Sequence, residues 1–359
     1  MFALGTHKLE LTAWQSQSPA LLRGTLSQRR KNAQRPFRAY PPLPRGHCLC
    51  YARPVPPSAS SSRGASAGPR RLAEAPPITS RDNRWLKEFR VALRGGVTTV
   101  SGAAGVEGAR LVEEALSSGC RIQAVLFSES GERHRQRLAP FLNRPEIAFP
   151  VLRTTDRLFE GIADTEHPQG VAALIEPRAA TLEDLLRPSQ GTPLLAVLAG
   201  VQDPGNVGTI LRTAAAFGAS GAVACASGQS GTANPFSPKA LRASAGAALH
   251  LPILVGMSLP ILFVQLRLAG VRTVAATLHS AGASEPAESL APWEIPWGEP
   301  LAILVGNEGA GLPEEAERSA DLRVRIPMAP RVESLNAAAA AAILFYEAAR
   351  ERSLHRRQG

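Results

Sequence analysis

The sequence predicts an α/β protein: a C-terminal parallel sheet covered by helices on both faces, preceded by a smaller α/β unit. Two observations carry this. Short uninterrupted apolar runs, among them LLAVLAGV, GAVACA, LPILVG and LAILVG, alternate with helical patterns through the C-terminal half, as strands buried on both faces do. Three strand-like runs also lead into Gly- or Pro-marked turns that gather Asn206, Arg212, Asn307, Glu308, Ser334 and Asn336. Open α/β sheets build their sites in this way, at loops beyond the carboxyl ends of strands.

The elements follow in order. Residues 1–77 are rich in Pro, Ser and Arg and lack periodicity, so a disordered basic tail is expected. ITSRDNRWLKEFRVALR begins the folded part as a helix, with Ser80 as its N-cap candidate and Trp85, Phe89, Val91 and Leu93 on the pattern. VEGARLVEEALSSG reads as an amphipathic helix stopped at Gly119. RIQAVLFS is a strand, GERHRQRLAPFL a helix and IAFPVLR a strand. TTDRLFEGIAD is a short helix started by Thr155 or Asp156, and HPQGVAALIEP closes the unit, 78–178, with a strand. Residues 179–192 read as a linker with a helical turn. From 193 to 352, strand and helix alternate into a long final helix, and 353–359 is expected as a C-terminal tail.

Charge is unevenly distributed. The chain carries 40 Lys and Arg against 30 Asp and Glu, and residues 1–80 hold 12 of the bases but only two acids, Glu10 and Glu74. The rest therefore has 28 of each and is close to neutral. A basic arm can add salt-dependent attraction to RNA phosphates, or be a solvated tail without a specific partner. Its Arg- and Ser-rich, acid-poor composition also matches organelle transit peptides. The expected location is the bacterial cytoplasm, with a mitochondrion or plastid as the alternative. Cys48, Cys50, Cys120 and Cys225 show no metal-type pairing, so a reducing compartment and no metal are expected. No apolar run is long enough to span a bilayer, and 251–269 is interrupted by two prolines, a Gln and an Arg.

Each site segment has its own chemistry. In QDPGNVGTILR, Pro204–Gly205 form a turn, Asn206 is placed to cap the next helix, and Val207, Ile210, Leu211, Ala214 and Phe217 form its apolar stripe. Arg212 lies off that stripe, either as an ordinary surface cation or as a working group. In VGNEGAGL, Gly306, Gly309 and Gly311 permit positive φ and close approach of the backbone to a ligand. The spacing is GxxGxG rather than the dinucleotide GxGxxG, and no GK[ST] follows, which disfavours an oxidoreductase and excludes a P-loop. In IPMAPRVESLNAAAA, Ser334 or Asn336 enters an Ala-rich helix whose free N–H groups suit an anion. In NPFSPKALRASAGAALHLPI, Lys239, Arg242 and Ser244 are polar positions on a helix, facing either phosphate or solvent.

Together these segments resemble the SpoU (TrmH-type) RNA 2′-O-ribose methyltransferases of the SPOUT superfamily, over roughly residues 78–352. The resemblance implies a SPOUT domain with a deep trefoil knot and a small N-terminal RNA-binding domain like a ribosomal protein. It implies S-adenosylmethionine as cofactor and a homodimer with active sites near the subunit interface. It assigns catalysis to Arg212, with Asn206, Glu308, Ser334 and Asn336 serving the active site. It assigns the cofactor to Thr277, Leu278, Gly306, Ile326, Met328 and Leu335, and RNA to Lys239, Arg242 and Ser244. A guanidinium stays protonated over the accessible pH range, so alignment and stabilisation of a developing alkoxide describe Arg212 better than general-base action. This chain departs from the family pattern at Pro330–Arg331, where a glycine-containing turn is usual, and at the AAAA that follows Asn336. The implied activity is 2′-O-methylation of RNA, ribosomal RNA first and tRNA second. A non-catalytic RNA-binding or ribosome-assembly factor on the same fold is the alternative.

Overall fold

Alternation along two central strands sorts the core into two layers. Leu194, Ala196 and Leu198 of β5 (Leu194–Leu198) face one side, and Leu195 and Val197 face the other. β9 (Leu301–Val305) does the same with Leu301, Ile303 and Val305 against Ala302 and Leu304. A period of two is the geometry of a pleated strand, and both faces are apolar because both are covered.

The computed structural model describes residues 76–95, 99, 101–144, 147–188, 191–226, 231–277, 289–332 and 334–358, with side chains to His355. The large sheet has the order β10-β8-β9-β5-β6-β7, all parallel. Its other strands are β6 (Gly221–Ala226), β7 (Ile253–Ser258), β8 (Arg272–Ala276) and β10 (Leu322–Val324). One face carries α6 (Pro204–Ala216), α7 (Pro238–Ala243) and α10 (Ala337–Gln358). The other carries α5 (Leu182–Leu186), α8 (Leu259–Leu268) and α9 (Glu314–Ser319).

The small sheet is mixed, in the order β1-β4-β2-β3: β1 (Ala104–Glu107), β4 (Val171–Glu176), β2 (Arg121–Ser128) and β3 (Val151–Thr154). Three of its helices are α2 (Ala109–Ser117), α3 (Arg135–Leu142) and α4 (Asp156–Glu160), the last capped by Thr155. α1 (Arg84–Arg94) covers one face with Leu86, Phe89, Ala92 and Leu93. The opposite face, through Val106, Val125, Phe127 and Ala173, joins the same apolar core as α6 and α7 of the large sheet.

Several expectations are corrected. The cap of α1 is Asn83, whose Oδ1 accepts from Trp85 N, whereas Ser80 Oγ accepts from Asp82 N in the preceding turn. Leu86 and Ala92 take core places and Val91 is exposed. Val106 and Glu107 belong to β1 rather than to the helix after them, because Gly108, at φ 98°, separates the two. The linker is docked: Thr181 and Asp184 form a capping box, and Leu185 of α5 is fully buried. The segment expected as a tail from 353 continues α10 as far as Gln358. Arg352 ties that helix down by donating to the carbonyls of Thr192, Pro193, Trp297 and Glu299. The basic segment 1–75 lies outside the described residues.

Candidate active site

The first site segment leaves β5 and turns at Asp203–Pro204–Gly205. Pro204 opens α6, where its missing N–H costs nothing. Asn206 is the third helical residue rather than the cap, and its side chain points across to two other loops. Its Nδ2 donates to Glu308 Oε1 at 2.9 Å, and its Oδ1 accepts from Asn336 Nδ2 at 3.1 Å. Asn206 is therefore a bridge between the β9 loop and the start of α10.

Glu308 serves the α6 entrance from the other side. Its carboxylate accepts from the N–H groups of Gln202 and Asp203, each at 3.2 Å, as well as from Asn206. These are N–H groups at a helix entrance, where negative charge is favoured. Burial works against the charge, but the Asn206 amide and the backbone N–H groups outweigh it and hold the carboxyl below its ordinary pKa. Asn336 caps α10 with Oδ1, accepting from Ala338 N at 2.9 Å and Ala339 N at 3.3 Å, and spends its amide on Asn206.

The glycine loop is shaped by close approach. A Cβ at Gly306 would lie 2.3 Å from Gly311 C, so only glycine lets the loop close on itself. Of its three glycines only Gly311 has a positive φ, 72°. Asn307, placed by the sequence among the turn residues but given no role there, holds the loop together. Its Nδ2 donates to Gly200 O at 3.1 Å, and its Oδ1 accepts from the N–H groups of Gly309 and Ala310.

Beside this polar line lies a mainly apolar cleft of about 580 Å³, including its solvent-open mouth. Thr277, Gly306, Ile326, Met328 and Leu335 all line it, with Val305, Val324, Ala337, Ala340, Asn307 and Glu308. Alternation explains the choice in the extended segment after β10, since Val324, Ile326 and Met328 face inward. Leu278 lies outside the described residues. The apolar lining with a few polar groups at its edge suits a nucleoside-like ligand.

The remaining candidates are placed differently. Arg212 is exposed on α6, lines no part of the cleft, and has no hydrogen-bond or ion-pair partner among the described residues. Ser334 is exposed and likewise outside the cleft. Lys239 is exposed and pairs with Asp203 at 2.6 Å. The hydrogen bond it donates is the main cause that holds the Asp203 carboxyl below its ordinary pKa. Ser244, expected to face RNA, is fully buried, and its hydroxyl donates to Leu241 O. Arg242, also expected to face RNA, pairs with Asp164 of the small unit at 2.6 Å. Asp203 and Asp164 are the partners that a sequence pattern did not reveal, because both pairings run between distant segments. Among the described residues no cluster of His, Cys, Asp and Glu could hold a metal, and no helix is long and apolar enough to cross a membrane.

Comparison with known proteins decides the family. The profile of the SpoU rRNA Methylase family matches residues 193–346. The chain is 32% identical over 273 residues to the 23S rRNA (guanosine(2553)-2′-O)-methyltransferase RlmP of Bacillus subtilis, covering 75% of this chain and 97% of that one. This chain belongs to the SpoU rRNA methylase family. An MRM3-like substrate binding domain profile matches residues 100–173, which span the small sheet up to Ala173. The chain is also 32% identical over 232 residues to the 23S rRNA (guanosine-2′-O-)-methyltransferase RlmB of Ralstonia nicotianae, covering 64% of this chain and 88% of that one. The crystal structure of an AdoMet-bound rRNA methyltransferase from Sinorhizobium meliloti superposes with a TM-score of 0.63 at 32% identity, covering 77% of this chain and 97% of that one.

Proposed function

We propose that this SpoU-family chain transfers a methyl group from S-adenosylmethionine to a ribose 2′-hydroxyl of RNA, with ribosomal RNA as the substrate class and tRNA second. One observation carries the reading: Glu308 both lines the apolar cleft and anchors the polar line through Asn206 to Asn336. A cofactor pocket and a polar acceptor site thus share a wall.

Thr277, Gly306, Ile326, Met328 and Leu335 would hold the cofactor's adenosine. When bound, the cofactor supplies an electrophilic methyl group. Glu308, ionised and already accepting three N–H groups, orients Asn206 rather than taking a proton. Asn206 and Asn336 fix one another and present the acceptor side of the cleft. Arg212, without a partner among the described residues, can meet a substrate phosphate or the charge that develops on the ribose oxygen. Ser334 stands at the exposed rim of the same segment. Alignment of the hydroxyl with the methyl carbon supplies much of the rate.

The finer features go with this reading. The family's trefoil knot is supported by the parallel order β10-β8-β9-β5, which brings the segments around 277, 306 and 326 to one cleft. The small unit is proposed to grip RNA, supported by its substrate-binding profile. A homodimer and a bacterial cytoplasmic location complete the proposal. The test is transfer of labelled methyl from S-adenosylmethionine to unmodified rRNA and tRNA, followed by nuclease mapping. A 2′-O-methyl nucleotide is expected, and Arg212→Ala should abolish its formation. No transfer to either RNA, with cofactor binding also absent, would move the chain to the non-catalytic reading.

A further inference from the structure

We propose that the Arg242–Asp164 ion pair is a strut, a positioning device that fixes the small unit against the methyl-transfer site instead of contacting RNA. The inference rests on the activity proposed above and concerns how the two sheets are aligned for it. The strut begins at Glu107, at the end of β1 and only 5% exposed. Its carboxylate accepts from Asp164 N at 2.9 Å and from the Thr165 hydroxyl, so it fixes the loop that presents Asp164. Asp164 Oδ2 then receives Arg242 Nη2 at 2.6 Å, with both side chains only a third exposed. Arg242 Nη1, which has no hydrogen-bond partner among the described residues, is buried and so closed to a phosphate arriving from solvent.

α7 carries the constraint onward. Lys239 lies one turn before Arg242 and reaches Asp203, the residue at the head of α6. α6 and α7 cross with no room to spare, since a Cβ at Gly208 would sit 2.2 Å from Ala240 O. Two residues from Gly208 stands Asn206, the bridge to Glu308 and Asn336. A second foot steadies the same segment where it leaves α7: His250 meets Glu114 of α2 at 3.1 Å. The small unit is thus braced on the helix that abuts the site, and its angle sets where a gripped RNA meets the cleft.

The test uses the full chain in five forms: wild type, Asp164→Asn, Arg242→Gln, the double variant, and the charge swap Asp164→Arg with Arg242→Asp. Two readouts are taken. Amide exchange of the 161–166 segment and α7 reads the strut without reference to RNA. Methyl transfer at varied rRNA concentration reads kcat and KM separately, beside cofactor affinity. Faster exchange is expected in both single variants and recovery in the swap. A fall in kcat of about fivefold is expected in each single variant, with KM for RNA and cofactor affinity unchanged and the double variant no worse than either. Unchanged exchange in the single variants would overturn the strut even if no RNA were methylated, whereas an inactive wild type would count against the activity. Arg242→Gln raising KM alone, with Asp164→Asn without effect, would make Arg242 an RNA contact and reject the proposal.

Discussion

At the scale of single residues, the site turns on Asn206, because its amide is spent in two directions at once. Asn206→Ala removes both bonds and leaves Glu308 with one N–H fewer. Each lost bond is worth roughly 1 kcal/mol, so kcat/KM should fall by about tenfold or more, measured by methyl transfer with cofactor affinity followed in parallel. Asn206→Asp should be worse, since it sets a second carboxylate against Glu308. The pH behaviour follows from the direction of the Glu308 shift. Its folded pKa is lowered, so its stabilising contacts are complete above the unfolded carboxylate pKa and are lost only as pH falls through the folded value. Glu308→Gln should therefore lower kcat while leaving the shape of the neutral pH profile unchanged. A profile that shifts with this variant would make Glu308 a proton carrier. Cys225 gives a separate check: burial pushes its thiol up to about 12. It should resist alkylation until the protein unfolds, whereas the partly exposed Cys120 reacts earlier, as peptide mapping by mass would report.

At the scale of elements, what sequence revealed and what it hid have a common cause. Strands such as 194–198 and 301–305 were legible because burial on both faces leaves an unbroken apolar run. The stop at Gly119, with φ 78°, was legible because glycine tolerates that conformation. The helix α6 was legible in its apolar stripe, but its start at Pro204 and the duty of Asn206 were not. Capping is a local property read from neighbours in sequence, whereas its actual partners lie 102 and 130 residues away. Ser244 misled for the same reason, since a helical polar residue looks alike whether it faces solvent or donates to the carbonyl three residues back. The glycines are more informative when their neighbours are known. Gly208 is required by the crossing of α6 on α7, with backbone on the far side that cannot yield. Gly208→Ala should force the helices apart and cost about 1–3 kcal/mol, read as a lower midpoint in urea at unchanged slope. If the midpoint did not move, the close crossing would be wrong.

At the scale of the whole molecule, charge and chemistry are separated along the chain. The cleft and polar line belong to a body whose 28 basic and 28 acidic residues beyond residue 80 nearly balance, while the first 80 residues carry 12 bases against two acids. Two bases beside the site are also engaged by acids, Lys239 by Asp203 and Arg242 by Asp164. Non-specific attraction to RNA should therefore come mainly from the N-terminal segment. Each phosphate neutralised contributes a roughly fixed increment to the slope of log affinity against log salt. A chain lacking residues 1–75 should bind RNA more weakly at low salt and with a clearly shallower slope. Its cofactor affinity and its kcat at saturating RNA should stay at the full-length values, because every residue of the cleft and polar line lies beyond residue 200. The measurement is RNA binding over a salt series for both forms, with cofactor titration as the control. Identical slopes would move the electrostatic footprint onto the body, to exposed bases such as Arg212 and Arg331.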